Sequence, residues 1–353
     1  MSSVIGVWSV LIAAFVGVGI IFSKSLHSAS RGVDNFFVAF WLGLTTTLAG
    51  LQIWSLFWPI NLLPIVIVLG IGSLGFISEI RAIAKLSIGT IRNRQCSLLF
   101  AALLTLWLAN RAIGPADLWD TRLYHINAVR WANAYPVIPG LANLEPSIAV
   151  NSVYHLLAAM VNVGPLDGRS AHVVAGLFLL VTGLRGVLAI SRLMLRRSRV
   201  DDQFFALALP IVFAFGTRQE ASGLSSDLPA AVLTITSLGM LLALLTRSPS
   251  RRRANGLWIT MLCLFASAVC VKLSTLGLVA VGYPLAILIP CIQRSGWNPV
   301  RVISTSCLVA IIFFVPWMAR STIMSGYPVY PTTLAPQNVE WLYPHEELVK
   351  RQK

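Results

Sequence analysis

The residues suited to chemistry in this chain concentrate in one polar stretch between apolar segments, residues 114–150. The candidates in this stretch include Asp117, Asp120, Tyr124, His125 and Arg130. A carboxylate within hydrogen-bond reach of a hydroxyl acts as a general base, and a guanidinium holds an anion. The stretch is therefore a candidate site for acid–base chemistry. Solvated loops and interfacial aromatic belts carry the same residue types, and that alternative stays open.

A third acid, Asp227, ends the polar segment 218–226 and directly precedes Leu228 and Pro229. Ser-Ser-Asp before Leu-Pro is an ordinary helix start, with Ser or Asp as the N-cap. The same position places a carboxylate at the rim of an apolar helix, where an ionisable side chain is a candidate functional residue. Asp227 is therefore both a candidate catalytic acid and a candidate helix cap.

The chain that positions these acids is strongly apolar: of 353 residues, 56% are hydrophobic and 11% are charged. About twenty apolar residues cross a bilayer as a helix, and a helix satisfies its own backbone groups in lipid. The apolar runs, with soft limits, are 4–22, 36–58, 62–78, 96–113, 171–190, 204–217, 227–246, 257–275, 276–292 and 302–319. We predict an all-α polytopic bundle of about ten transmembrane helices, which excludes a soluble enzyme and a disordered chain.

The basic residues predict the orientation of the bundle. Seventeen of the 27 Lys and Arg residues, with four acids, fall in or beside alternate connections such as 79–95, 191–203 and 247–256. The other side, which includes 114–150, has ten basic residues and nine acids. Because cytoplasmic loops are enriched in Lys and Arg, we expect a multi-pass protein of the inner (plasma) membrane with an extracytoplasmic active face. The net charge of +14 then reflects topology and contact with membrane lipid, and nucleic acid is not needed to explain it.

One weaker apolar run, residues 148–163, does not fit this orientation as a crossing. Asn151, His155 and Asn162 fall near one face of a helix drawn through it. We predict an amphipathic helix lying at the outer interface, with both ends of the chain outside. The organisation is then N-terminal helices, a catalytic loop with the interfacial helix, core helices and an outer tail: 1–113, 114–170, 171–319 and 320–353.

Several short motifs follow one another along residues 112–331. They are Asp-x-x-x-Tyr (Asp120 to Tyr124), the interfacial helix, Gly168-Arg169 before a span, a basic inner turn and Asp-x-Pro at Asp227. This order resembles the GT-C superfamily of integral-membrane glycosyltransferases, on the side of the protein O-mannosyltransferase-like and RgtA/B/C/D-like bacterial enzymes. The segments WDTRLYHINAVRWANAYPVIPGLANL and SGYPVYP are similar, more narrowly, to LIC_10190-type bacterial multi-pass membrane proteins.

Two features depart from these relatives. Many of them have Asp-Glu in the first outer loop, whereas Thr121 follows Asp120 here. Relatives of the narrower kind continue with further membrane helices after the SGYP segment, so the resemblance implies a truncated tail at 320–353.

The resemblance implies transfer of a sugar from a polyprenyl-phosphate-linked donor to a glycan, lipid or protein acceptor on the outer face. Asp120 is the expected base, with Asp117 and Asp227 as further catalytic candidates, and the expelled lipid phosphate needs a cation or a divalent metal ion. The candidate substrate-binding residues are Tyr124, His125, Arg130, Asn151, His155, Arg218, Lys272, Arg320 and Tyr327. Metal ligands stay unassigned, because the histidines of this set lack the spacing of a metal-binding motif.

Two other classes of function remain open on the sequence. A transporter or flippase of a lipid-linked solute is expected to carry ionisable residues near the middle of the bilayer and paired broken helices. The charges of this chain instead sit near the ends of its apolar runs, which disfavours that class. A non-catalytic GT-C-like membrane protein is the third alternative.

A glycine pattern at Gly70-Ile-Gly72-Ser-Leu-Gly75 matches the dinucleotide-binding fingerprint. It lies inside an apolar run with no strand before it, so the fingerprint lacks its structural context. Small residues in an apolar helix permit close helix contact, and we predict that role here.

Overall fold

The computed structural model describes residues 1–25, 33–80, 95–247, 251–292 and 297–352, and within them the chain is helical throughout and has no β-strand. The first helices are α1 (Ser2–Ser25), α2 (Val33–Ser55), α3 (Leu62–Ser78), α4 (Gln95–Ala112), α5 (Ile126–Ala134), α6 (Leu141–Leu144) and α7 (Val153–Val161). The later helices are α8 (Val174–Met194), α9 (Val200–Leu207), α10 (Leu209–Thr217), α11 (Asp227–Thr246), α12 (Arg251–Val271), α13 (Leu276–Ile292), α14 (Pro299–Ser325) and α15 (His345–Gln352). Six basic residues used to predict orientation lie outside the described ranges: Arg31, Arg81, Lys85, Arg92, Arg94 and Arg294.

Helical segments stand at all ten of the predicted apolar runs. Counted over the described residues, eight segments are long and apolar enough to cross a membrane, with α9 and α10 together forming one of them. The other two, α3 and α4, have 17 and 18 residues. The break between α9 and α10 precedes Pro210, which cannot donate to the preceding turn. The architecture is that of a multi-pass helical membrane protein, and the count of ten crossings stays a prediction.

Helix α7 corrects the prediction for residues 148–163. With nine residues it rises about 14 Å and is too short to span a bilayer. Every residue of α7 is buried, and so are the flanking Asn151 and Asn162. The expected position along the outer surface is therefore wrong. The polar face, including His155, forms hydrogen bonds with neighbouring segments of the protein, which replaces the contact with water that the amphipathic pattern suggested.

The two ends of the helices differ in chemistry. At one end, which we call the basic end, an ion-pair cluster joins the start of α2 to α8, α9 and the end of α11: Asp34, Arg185, Arg192, Arg199, Asp201, Asp202 and Arg247. The guanidinium of Arg185 lies 2.8 Å from both Asp201 and Asp202 and stacks over the ring of Phe205. The opposite end, where residues 114–150 lie, is called the loop end below.

Helices α1, α2 and α3 approach one another through glycine. A Cβ on Gly72 would lie 2.5 Å from the carbonyl oxygen of Ala14, and one on Gly75 would lie 2.0 Å from that of Gly17. A Cβ on Gly70 would meet nothing within 4 Å. The prediction that the glycine pattern serves helix contact is thus confirmed for two of its three members.

The segment after α14 packs back on the 114–150 stretch. Gly326 ends α14 with a left-handed backbone, φ 83°, which an L side chain rarely adopts. The returning chain then forms a small second core with the loop, whose buried members are Leu141, Ala142, Ala149, Met324, Tyr327, Tyr330, Tyr343 and Leu348. The main core, in contrast, runs continuously from Val4 to Trp317. The loop end is therefore covered by two parts of the sequence that are distant along the chain.

We predict that Gly72→Ala lowers the free energy of unfolding by about 1–3 kcal/mol, because overpacking against a backbone forces the helices apart. Gly70→Ala is the matched control and is expected to leave stability unchanged, since its Cβ enters open space. Thermal unfolding of the detergent-solubilised protein measures both. Equal midpoints for the two variants would contradict the packing described.

The buried ion-pair cluster gives a second prediction. Asp201→Asn leaves Arg185 and Arg247 short of one negative charge and is expected to cost about 3–5 kcal/mol, as for other broken buried pairs. Glu347→Gln, in the solvent-exposed pair with Lys350, serves as the control and is expected to have no measurable effect. A stability of Asp201→Asn equal to that of the control would show that the cluster does not stabilise the helix ends.

Candidate functional site

Asp120 lies at the head of an unusually wide helical turn. Residues Thr121–His125 form a π-helix that continues directly into α5. The carboxylate of Asp120 lies close enough to the phenol of Tyr124 to raise its pKa, so the two ends of the Asp-x-x-x-Tyr motif are neighbours on one helical face. Asp120 is exposed and Tyr124 is half-buried. Single π-helical turns are rare and are frequent at functional sites.

Tyr124 is surrounded by carboxylates from three segments. Burial raises the pKa of Tyr124 to about 12, and the negative charges of Asp120, Asp227 and Glu145 act in the same direction. Asp120 and Asp227 stand 107 positions apart in the sequence, yet both act on this one phenol. The fold thus brings the two predicted acids into one neighbourhood at the loop end.

Asp227 is engaged in contacts with its own neighbours. Its carboxylate forms an ion pair with Lys272, which follows the last residue of α12. The hydroxyl of Ser225 donates to the same carboxylate at 3.1 Å. The catalytic candidate Asp227 and the substrate-binding candidate Lys272 therefore form a pair with no net charge, whereas no ion pair with a described residue involves Asp120.

Two neutral histidines form the inner wall of the site. The rings of His125 and His155 lie 4.8 Å apart between centroids, and that of Tyr124 lies 4.3 Å from His125. Burial lowers the pKa of His125 to about 4 and the pKa of His155 to about 3. Nε2 of His155 donates to the carbonyl of Leu224 at 3.3 Å, which fixes its tautomer. Both imidazoles are buried and uncharged at neutral pH.

A cavity of about 50 Å³ lies behind this wall. It is bounded by the end of α2, by α5 with the 135–141 segment, by the start of α7 and by α14. His155, Asn151 and Arg320 line it together with Trp131 and Tyr135. Three of the predicted substrate-binding residues thus share one cavity, although they come from α7, the segment before it and α14.

The remaining predicted site residues lie elsewhere. Asp117 is engaged in an ion pair with Arg122. Arg130 and Arg218 are exposed on the surface. Tyr327 is fully buried in the core between loop and tail, where its hydroxyl donates to the carbonyl of Tyr343 at 3.2 Å. The prediction that Tyr327 binds substrate is therefore wrong, because its polar atom is already used within the protein.

The described side chains do not assemble a metal site. Among them, no three His, Cys, Asp or Glu side chains stand close enough to share an ion. The imidazoles of His125 and His155 are in tilted contact with each other, and Nε2 of His155 is directed at a backbone carbonyl. The candidate divalent metal therefore has no matching donor set in this part of the chain, and no chemical step is assigned to it.

Some residues of the site were not singled out from the sequence. The hydroxyl of Thr121 accepts from the backbone N–H of Leu224 at 3.1 Å and lies 3.5 Å from Nδ1 of His125, which ties the π-helical turn to the 218–226 segment. Trp131 and Tyr135 stand four positions apart with ring centroids at 5.7 Å and line the cavity. That spacing is a visible signal in the sequence, whereas the contact of Thr121 depends on the fold.

The neutral histidines predict how stability depends on pH. An unfolded His125 titrates near 6.5 and the folded one near 4, so the unfolded chain binds more protons between these values. Stability contributed by the neutral form is complete above pH 6.5 and falls by about 3 kcal/mol as the pH decreases to 4. In His125→Gln, the unfolding midpoint is expected to depend less on pH between 4 and 6.5 than it does in the unchanged protein. Parallel profiles would contradict the burial of a neutral His125.

Comparisons with known proteins give one family. No curated protein and no solved structure matches the chain. One family model, described as Domain of unknown function (DUF8201), matches residues 1–353. The chain therefore belongs to the DUF8201 family.

Proposed function

We propose that this protein is a membrane glycosyltransferase of the GT-C kind that uses a polyprenyl-phosphate-linked sugar. The observation that carries the proposal is the exposed carboxylate of Asp120, which lies beside Tyr124 at the head of a π-helical turn and near the Asp227–Lys272 pair. Such a base, next to a cation and outside the apolar helices, has the parts that glycosyl transfer needs.

The proposed reaction is a displacement at the anomeric carbon. The acceptor hydroxyl attacks that carbon, a new C–O bond forms, and the bond from the carbon to the phosphate oxygen breaks. The hydroxyl proton passes to Asp120, and polyprenyl phosphate leaves with the electron pair of the broken bond. Lys272 is the cation that pairs with Asp227. Its proposed role is to stabilise the charge that develops on the leaving phosphate.

The surface beside Asp120 supports a donor that is held in lipid. Trp119 and Leu123 flank Asp120 four positions apart and are 78% and 56% exposed. They follow α4, along and just after which Leu103, Leu106 and Ile113 are also exposed. An apolar surface that continues from a membrane helix to a catalytic acid suits a polyprenyl chain lying in the outer leaflet.

The proposed orientation places the loop end outside the inner membrane. Four arginines of the ion-pair cluster gather at the opposite, basic end, which supports a cytoplasmic location for that end. The acceptor, whether glycan, lipid or protein, then meets the donor on the extracytoplasmic side.

We predict that Asp120→Asn lowers sugar transfer by about 10²- to 10⁴-fold, the contribution of a positioned base. The assay follows radiolabelled sugar from polyprenyl-phosphate donor in membranes that contain the full-length protein. Glu340→Gln, an exposed acid of the tail, is the control and is expected to retain transfer.

Three results would contradict the proposal in different ways. Near-normal transfer by Asp120→Asn would exclude this base and make Asp117 the next candidate. Passage of the labelled lipid across the membrane without transfer would favour the transporter alternative. Absence of both from membranes with well-folded protein would favour the non-catalytic alternative.

A further inference from the structure

A buried guanidinium without a protein anion marks a second feature of the loop end. Arg320 is 7% exposed, and its Nε and Nη1 atoms have no hydrogen-bond partner among the described residues. None of the ion pairs formed by the described carboxylates includes Arg320. A buried charge without a partner is costly, so its retention here calls for a compensating anion from outside the protein.

The cavity beside Arg320 supplies an independent observation. Asn151 lines the same cavity, and its amide nitrogen donates to the carbonyl of Trp317 at 2.6 Å. Its carbonyl oxygen, Oδ1, is buried and has no partner within the described residues. The cavity thus combines an unsatisfied cation with an unsatisfied acceptor, and apolar surface of Trp131 and Ile138 lines the rest of it.

We propose that this cavity binds the terminal oxyanion of an acidic substrate, a carboxylate or a phosphate monoester, through Arg320. Asn151 accepts a hydrogen bond from a hydroxyl or amide group of the same ligand. As a binding site the proposal stands on the cavity, and only the role of the ligand as substrate rests on the proposed glycosyl transfer.

The burial of Arg320 favours a terminal over a bridging anion. Its side chain is 7% exposed, so little space surrounds an anion that reaches the guanidinium. The phosphodiester of a lipid-linked sugar has a sugar on one side and a polyprenyl chain on the other. Two large substituents fit around a buried guanidinium less easily than one, and the lipid arms of the experiment below test this distinction.

The position of the cavity connects it to the proposed reaction. His155 lines the cavity and its ring contacts that of His125, which in turn contacts Tyr124 beside Asp120. A ligand with its anion at Arg320 therefore extends along the neutral imidazoles toward the base. This arrangement makes the anion a recognition group remote from the bond that breaks, so the sugar or the acceptor is itself acidic.

Thermal unfolding of the full-length protein in detergent tests the binding site without turnover. The probes are inorganic phosphate and glucuronate as terminal anions, glucose as the neutral control, and polyprenyl phosphate and polyprenyl-phosphate-linked glucose as the lipid arms. A ligand that binds the folded state raises the unfolding midpoint. We expect phosphate, glucuronate and polyprenyl phosphate to raise the unfolding midpoint. Glucose and the lipid diester, polyprenyl-phosphate-linked glucose, are expected to cause no rise that depends on Arg320.

Variants of Arg320 give the decisive comparison. Arg320→Met is expected to weaken the binding of the anions by about tenfold to a hundredfold, because a charged hydrogen bond is lost. Without ligand, the same variant is expected to unfold at a higher temperature, because it removes an unpaired buried charge. Arg169→Met, an exposed arginine at the same end, is the matched control and should bind anions as the unchanged protein does. Arg320→Lys keeps the charge and should retain weaker binding.

Three outcomes would overturn the inference. They are no stabilisation by any terminal anion, equal stabilisation of Arg320→Met and the unchanged protein, and stabilisation by the lipid diester alone. Because the assay needs no transfer, these outcomes leave the role of Asp120 untouched. Conversely, an Asp120→Asn protein that retains transfer but binds glucuronate would sink the proposed reaction while sustaining the anion site.

Discussion

Backbone carbonyl groups at the loop end of the helices need hydrogen-bond donors. This requirement determines the path of the chain that carries the site. The last four carbonyls of a helix have no partner within it, and buried ones must be paired. Donors come from the end of α4, the loop and the tail: Arg111 to Gly216 and Thr217, Ser152 to Val271, Val137 to Ser55, Gly140 to Ile323, and Tyr343 to Ser325. Each bond anchors a segment beside the acids, so Asp120 is positioned by helix ends that lie far from it in sequence.

Charge follows the same logic of pairing. At the basic end, arginines and aspartates neutralise one another across four helices. At the loop end, Asp227 is matched by Lys272, while the buried histidines meet the low polarity by staying neutral. Arg320 departs from this pattern, since an arginine cannot lose its proton at physiological pH. His155 and Arg320 line the same cavity but differ in charge. The neutral His155 needs no counter-ion, whereas the charged Arg320 does, which identifies Arg320 as the group that binds an anion.

The sequence predicted most of the features that depend on the length and spacing of apolar residues and on residue type. The apolar runs located the helices, and Gly72 and Gly75 of α3 were correctly taken as helix contacts, because both signals are local. The amphipathic pattern of 148–163 was misleading, since a polar face shows only that partners are needed and not whether water or protein supplies them. Tyr327 failed for the same reason, its hydroxyl being satisfied by a backbone carbonyl from later in the chain. The meeting of His155, Asn151 and Arg320 is a property of the assembled helices that no local pattern contains.

The packing of the tail on the 114–150 stretch has a consequence for biosynthesis. During translation the loop emerges before α14 and long before Tyr327, Tyr330 and Tyr343, which complete the core around Leu141 and Ala142. Until those tyrosines arrive, the apolar side chains of the loop have no cover, although most membrane helices have already been made. The core between the loop and the tail is therefore completed late in synthesis, and a nascent chain that has not yet released these three tyrosines leaves Leu141 and Ala142 without their cover.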